Sequence, residues 1–171
     1  MYLYSLILSE IEILDERPVS KGGGIVIGGF SQGCAMGGCL LLSGILDREG
    51  VRGRVVGFVG MSGWMPFRVQ IEDAVRGLDV HEKRGIACRV LHEILGTDST
   101  GLKATVGLPM FFTQGSLDEK VRMEWSRHMT GVLSDIGAQK LKRVEMDCVG
   151  HWYGAEGMVG LVEFLEPIFA E

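Results

Sequence analysis

A short apolar run, GIVIG at residues 24–28, leads directly into the pentapeptide GFSQG at residues 29–33. The run is rich in β-branched residues and bounded by glycine, which predicts a buried strand. Residues 32–48 lack the alternation of a strand and predict a buried helix. A Gly-x-Ser-x-Gly sequence between a strand and a helix is typical of a sharp turn that exposes a nucleophilic hydroxyl. We therefore predict that Ser31 is a nucleophile.

The sharp turn crowds the backbone around Ser31, and this crowding restricts the residues next to it. Gly29 and Gly33 flank the serine two residues away on each side, where we expect small residues to be required. Gln32 would begin the helix, so we predict that its backbone N–H faces the oxyanion of a reacting carbonyl.

The rest of the chain alternates between strand and helix patterns. Residues 67–106 differ, because they are charged and mixed in period, and we interpret them as a lid-like excursion of short helices over the sheet edge. Alternating strands and helices predict an α/β fold, with a mostly parallel sheet of about four strands flanked by helices, in a single domain over residues 1–171. The further strands are predicted at 54–61, 108–115 and 141–149, and the further helices at 3–16, 119–136 and 155–170.

One of the four histidines directly follows a predicted strand. His151 lies in the loop VGHWYG after the fourth strand, at the sheet edge where Ser31 is expected. His81 and His92 lie in the excursion, and His128 lies within a helix, where packing explains it. We therefore predict that His151 is the general base.

The predicted acid follows the third strand. Asp118 would hold the imidazole of His151 in the required tautomer, in the chain order serine, acid, histidine. Glu119 and Asp147 are the alternatives, and Asp118 could also serve as the N-cap of the helix at 119–136.

Composition excludes several other classes of function. The net charge is −5, and lysine and arginine form no stripe, so nucleic acid is not expected as a partner. No apolar run reaches the roughly 20 residues that cross a bilayer, and the N-terminus has no basic region of a signal peptide. The four cysteines show no metal-binding spacing and are interpreted as reduced thiols, and we predict neither a metal nor a cofactor.

Motifs spread over nearly the whole chain resemble the acyl-protein thioesterase/lysophospholipase family of carboxylesterases, which are α/β-hydrolases. The motifs are GGFSQG at 28–33, SGWMP at 62–66, Asp118 with Val121, and Gly150 followed by His151. The resemblance implies a cytoplasmic hydrolase of long-chain acyl esters or thioesters, with an acylated protein or a lysophospholipid as substrate.

The resemblance also implies roles for particular residues. The catalytic triad would fall on Ser31, Asp118 and His151, and Phe30, Trp64 and Met65 would bind substrate. Family members usually carry His-Gly-Asp-x-Asp before the acid, whereas this chain has QGSLD at 114–118, so we expect weaker polar support for the acid.

The N-terminal region of family members also differs from that of this sequence. Family members begin with several strands and a glycine-rich loop that supplies a second oxyanion donor. The present sequence begins at the helix before the serine strand, so we expect an N-terminally truncated, partial fold with uncertain activity. The alternative hypothesis is a catalytically impaired remnant that binds acyl chains or a partner protein. A third possibility is a dienelactone-hydrolase-like enzyme of the same fold, which a cysteine nucleophile would favour. The strand at 24–28 would be an unprotected edge, through which we predict self-association.

Overall fold

The computed structural model describes residues 2–16, 23–96 and 101–170. Four parallel strands form one sheet in the order β1-β2-β3-β4, and helices connect them. The elements in chain order are α1 (Tyr2–Asp15), β1 (Ile25–Phe30), α2 (Gln32–Leu42), a 3-10 turn (Ile45–Asp47), β2 (Val55–Met61), α3 (Arg68–Val75), α4 (Val80–Leu95), α5 (Lys103–Gly107), β3 (Met110–Gly115), α6 (Met123–Asp135), β4 (Leu141–Met146) and α7 (Ala155–Phe169).

Because all four strands run parallel, their carboxyl ends lie along one edge of the sheet. Consecutive strands are neighbours in space and run parallel, as expected when a helix crosses over between them. Every residue of β3 is buried, which explains its nearly continuous apolar sequence. The predicted α/β class and parallel four-stranded sheet are confirmed.

Helices cover both faces of the sheet. Gly57 and Phe58 are adjacent on β2 and therefore point to opposite faces. Phe58 lies under Gly37 of α2, where a Cβ would come 2.5 Å from the ring, whereas Gly57 faces Phe164 and Ile168 of α7. The main core lies between the Phe58 face and helices α2 and α6, and it includes the inner side of α1.

Three boundaries differ from the sequence prediction for local reasons. The helix predicted at 32–48 ends at Leu42, and a 3-10 turn follows Gly44, whose left-handed backbone (φ 72°) stops the α-helix. The helix predicted at 119–136 begins only at Met123, so Asp118 is not its N-cap. The fourth strand ends at Met146 rather than at residue 149.

The excursion at 67–106 forms helices α3, α4 and α5, apart from residues 97–100, which lie outside the described residues. Its helices contact α6, the 3-10 turn and α2 rather than lying over a sheet edge, and they contribute the fully buried Ile71 and Leu91 to the core. Helix α4 has 16 residues because Asp79 caps its N-terminus in a reciprocal pair with Glu82. A lid-like role for the excursion stays a prediction.

None of the helices in the described part of the chain is long and apolar enough to cross a membrane.

Candidate active site

Ser31 lies in a sharp turn between the end of β1 and the start of α2. Its backbone adopts φ 55° and ψ −117°, a region that costs a non-glycine residue about 1–3 kcal/mol. The turn is held on both sides, because the N–H of Ser31 donates to the carbonyl of Met61 (2.8 Å) and its carbonyl accepts from the N–H of Ala35 (3.1 Å). The neighbouring strand and the first turn of α2 thus stabilise the strained backbone.

The two glycines of the turn are not equivalent. A Cβ on Gly29 would overlap the backbone of Gly33 and Cys34, so a side chain there has no room. A Cβ on Gly33 would meet nothing within 4 Å. The expectation that both positions must be small therefore holds for Gly29 but not for Gly33, because a side chain at Gly33 would enter open space.

The side chains of Ser31, His151 and Asp118 form a continuous chain of hydrogen bonds. His151 Nε2 lies 3.0 Å from Ser31 Oγ, and His151 Nδ1 lies 2.8 Å from Asp118 Oδ2. A carboxylate oxygen only accepts, so Nδ1 is the donor and Nε2 is left as the acceptor for the serine hydroxyl. The structure thus brings together the three residues that the sequence analysis chose.

The carboxyl group of Asp118 is enclosed by the protein. Its side chain is 0% exposed, and its Oδ1 accepts from the backbone N–H groups of Lys120 and Val121, both at 2.9 Å. Burial acts to raise the pKa of Asp118, but the hydrogen bonds from Val121, His151, Lys120 and Gln114 outweigh it, so the pKa lies below its ordinary value. Asp118 is therefore an ionised acceptor at neutral pH.

The loops that carry Asp118 and His151 are bonded to each other. The N–H of Leu117 donates to the carbonyl of Val149 (2.9 Å), and the N–H of Cys148 donates to Ser116 Oγ (3.0 Å). Gly115 lies against the same loop, and a Cβ there would overlap the carbonyl of Val149. These contacts set the distance between the acid and the histidine.

Gln114 supports Asp118 in a way that the sequence analysis missed. This fully buried residue of β3 donates from Nε2 to Asp118 Oδ2, 2.8 Å away. An amide thus supplies a donor to the acid at this position, and the expected weakening of polar support relative to the family stays a prediction. Its place in the sequence, at the end of a strand and four residues before the acid, was the available signal.

One aromatic ring contacts the histidine, and two more rings pack against the first. The ring of Phe30 lies 4.8 Å from that of His151, and its edge meets Trp152 and Tyr153, which stack on each other at 4.7 Å. Trp152 is 59% exposed, so these rings form an apolar rim open to solvent beside the serine.

The other two predicted substrate-binding residues lie apart from this rim. Trp64 and Met65 line a cavity of about 240 Å³ together with Arg68 and Trp125. Met65 is 4% exposed and packs near Gly38 of α2, so most of its side chain belongs to the core. Trp64 is half-buried and is the more accessible of the pair.

Gln32 is the first residue of α2, so the helix itself provides no acceptor for its N–H. This placement is compatible with the predicted oxyanion role, which stays a prediction.

The alternative histidines and acids lie elsewhere. His92 Nε2 lies 3.1 Å from the carbonyl oxygen of Ser43, directly after α2, and His128 is half-buried on α6. Glu119 and Asp147 are exposed. In the described part of the chain, no group of three or more His, Cys, Asp or Glu residues is arranged to hold a metal ion.

Comparison with known proteins gives structural likeness only. No family model matches the sequence, and no curated protein matches it significantly. Solved structures do match: acyl-protein thioesterase 2 of Zea mays (17% identity, TM-score 0.59), SOBER1 of Arabidopsis thaliana (15%, 0.61), and the esterase Est2 of the Planctomycetes species Thermogutta terrifontis (19%, 0.60).

These matches cover 96%, 98% and 97% of this chain, but 64%, 61% and 62% of the respective solved chains. The chain thus spans less than two thirds of the length of the structures it resembles. Together with the parallel sheet and its helical layers, the likeness shows that this chain has an α/β-hydrolase-like fold.

Proposed function

We propose that this protein is a serine hydrolase that cleaves acyl esters or thioesters. The observation that carries the proposal is the hydrogen-bonded series from Ser31 Oγ through His151 to Asp118, with heavy-atom distances of 3.0 and 2.8 Å. Such a series on a strained strand-to-helix turn is the arrangement that activates a serine hydroxyl. The esterases and the thioesterase with the same fold support this reaction class by analogy.

Acylation would proceed by attack of Ser31 Oγ on the acyl carbon. As the C–O bond forms, the hydroxyl proton passes to His151 Nε2, and Asp118 stabilises the resulting imidazolium through Nδ1–H. The backbone N–H of Gln32 donates to the oxyanion of the tetrahedral intermediate. When the intermediate collapses, His151 returns the proton to the departing alcohol or thiol, leaving an acyl-serine.

Deacylation would reverse the roles with water. His151 Nε2 accepts a proton from the water as its oxygen bonds to the acyl carbon, and the Ser31 Oγ–acyl bond then breaks. The proton returns to Ser31, and the carboxylic acid leaves.

The substrate proposal rests on the surface beside the serine. Phe30, Trp152 and Tyr153 offer apolar ring surface next to His151, which fits an acyl chain. Trp64, the more accessible of the two residues in the separate cavity, is proposed to contact the same chain, and a contact by Met65 stays a prediction. An S-acylated protein or a lysophospholipid has the required apolar group, and the cytoplasmic localisation implied by the resemblance stays a prediction.

Labelling with a fluorophosphonate probe tests the reaction class directly, because the probe phosphonylates only an activated serine. We expect the wild type to be labelled at Ser31 and Ser31→Ala to be unlabelled. Ser134→Ala, which removes an exposed hydroxyl on α6, is the matched control and should label like the wild type.

An unlabelled wild type that retains its fold would contradict the proposal. That outcome would favour a protein that binds acyl chains or a partner without cleaving them.

A further inference from the structure

We infer that Gln114 is a positioning residue, whose amide orients the Asp118 carboxylate toward His151. The inference rests on the proposed function, and it concerns a residue outside the three that would perform the reaction. Gln114 Nε2 lies 2.8 Å from Asp118 Oδ2 and 2.8 Å from the carbonyl oxygen of Val121. One amide nitrogen thus bonds the acid and the turn that carries it.

The orientation of this amide follows from its partners. Both groups that face Nε2 are acceptors, so only the NH₂ side of the amide can point toward them. The carbonyl oxygen Oε1 is left buried without a partner among the described residues. Leaving a buried acceptor unpaired is unfavourable, and the two bonds to Asp118 and Val121 offset that cost.

The bond from Gln114 to Oδ2 completes the set of donors around the carboxylate. Oδ1 accepts from Lys120 and Val121, and Oδ2 accepts from His151 and Gln114. Four donors match the four lone-pair sites of an ionised carboxylate. With Gln114 occupying one site of Oδ2, the remaining site of that oxygen is directed at His151 Nδ1.

Few side chains could replace Gln114 in this position. The site requires two N–H groups on one atom, at the reach of a buried strand residue, and no positive charge to desolvate. Met has a similar length and volume but donates nothing, so Gln114→Met removes both bonds with little change in packing.

The first test is the rate of labelling by a fluorophosphonate, separated into probe affinity and the maximal rate constant. We expect Gln114→Met to lower the maximal rate constant by about 10- to 100-fold with little change in affinity, because the carboxylate loses its orientation. In an Asp118→Ala background there is no carboxylate to orient, so Gln114→Met should change the rate less than about twofold.

Thr113→Val is the matched control for altering the strand. Thr113 is the neighbouring buried residue, it points to the opposite face toward α7, and its hydroxyl has no partner among the described residues. We expect it to label at the wild-type rate. An equal loss from Gln114→Met in both backgrounds, or no loss in the wild type, would overturn the inference and leave a structural role alone.

A second readout does not depend on activity. In proton NMR spectra, the proton on His151 Nδ1, which is hydrogen-bonded to a buried carboxylate, is expected to give a resonance far downfield. We expect the chemical shift of this resonance to change in Gln114→Met and to remain unchanged in Thr113→Val. If the wild type is not labelled but the resonance moves, the proposed function fails while the positioning role stands. If labelling occurs and the resonance is unchanged by Gln114→Met, the positioning role fails alone.

Discussion

At the scale of single residues, the site depends on a backbone that only particular neighbours permit. Ser31 occupies a left-handed region (φ 55°), and the crossing of β1 and α2 at this turn brings the backbones of Gly29 and Gly33 together. The contact is between backbone atoms, which cannot rotate away as a long side chain could. The requirement for glycine therefore falls on position 29.

This asymmetry predicts opposite results for two alanine substitutions. Gly29→Ala should destabilise the fold by about 1–3 kcal/mol through overlap with Gly33 and abolish labelling of Ser31. Gly33→Ala enters open space within a helix, so it should stabilise the protein by about 0.5–1 kcal/mol and keep Ser31 reactive. Urea unfolding and fluorophosphonate labelling measure both effects, and equal behaviour of the two variants would contradict this account.

The Asp118 carboxyl predicts a pH dependence of stability. Its pKa is lower in the folded state than its ordinary value of 3.8, so the unfolded chain binds the proton more tightly. The stabilisation is therefore fully present above about pH 5 and is lost as the pH falls through the folded pKa. The group that faces the carboxylate is the His151 ring, whose hydrogen bond favours the ionised form of Asp118.

The comparison variant for this effect is Asp118→Asn. We expect it to be less stable than the wild type by about 1–3 kcal/mol at pH 7, because a buried acceptor with several donors is altered. The difference should shrink as the pH falls below about 4 in urea titrations. A difference that is constant between pH 7 and pH 2 would show that the carboxyl does not titrate with folding.

At the scale of elements, α2 is a helix of small residues pressed between the sheet and the excursion. Gly37 lies on Phe58, and Cys34 Sγ fits into the space that the glycines of β2 and of the following loop leave open. Cys34 also contacts Met129 of α6, 3.8 Å from sulfur to sulfur. This close approach seats the N-terminus of α2, and with it the serine turn, on the sheet.

The burial of this helix predicts which thiols react. Burial raises the pKa of Cys34 to about 12 and that of Cys39 to about 11, so both remain neutral thiols. Cys148 is exposed in the loop before His151. Iodoacetamide at pH 8 should therefore modify Cys148 first and reach Cys34 and Cys39 only in denaturant, as peptide mass spectrometry can follow. Modification of Cys34 at the rate of Cys148 would contradict the packing of α2.

Features that depend on a local sequence pattern, such as the strands and the residues that follow them, could be predicted from the sequence. Apolar runs marked the first three strands, and the position of Asp118 and His151 after the third and fourth strands placed both at one sheet edge. The position of Gln114 four residues before the acid was a signal, but the contact itself depends on how the turn at 118–121 folds back over β3, which no local pattern records. Likewise, Met65 follows a motif that suggested substrate contact, but tertiary packing against α2 buries it.

At the scale of the whole molecule, the sheet is covered unevenly. Among the described strands, β1 has β2 as its neighbour on one side and none on the other. Helix α7 packs across one face of the sheet, against β4, β3 and β2, and its outer surface is mainly apolar. The exposed apolar residues on α7 are Met158, Val159, Val162 and Phe169, each 42–60% exposed.

Within the described residues, the backbone N–H groups along the open side of β1 have no strand to pair with. The N–H groups of Ile25 and Ser31 donate to β2, so by alternation those of Val26, Gly28 and Phe30 point away from it. The strand contains neither lysine nor proline, which commonly protect sheet edges. Two copies could pair their β1 strands antiparallel about a two-fold axis and join the two sheets into one.

We therefore expect the protein to dimerise with increasing concentration, observed as a doubling of mass in light scattering. Val26→Pro removes an outward N–H from each copy and leaves the ladder to β2 intact, so it should weaken the dimer by about tenfold or more. Val159→Lys is the contrasting variant, because it places a charge on α7 without altering β1. A strand edge associates through its backbone, whereas a helix surface associates through its side chains. A dimer that Val159→Lys disrupts and Val26→Pro does not would therefore show that β1 is not the interface. A monomer at all concentrations would show the same.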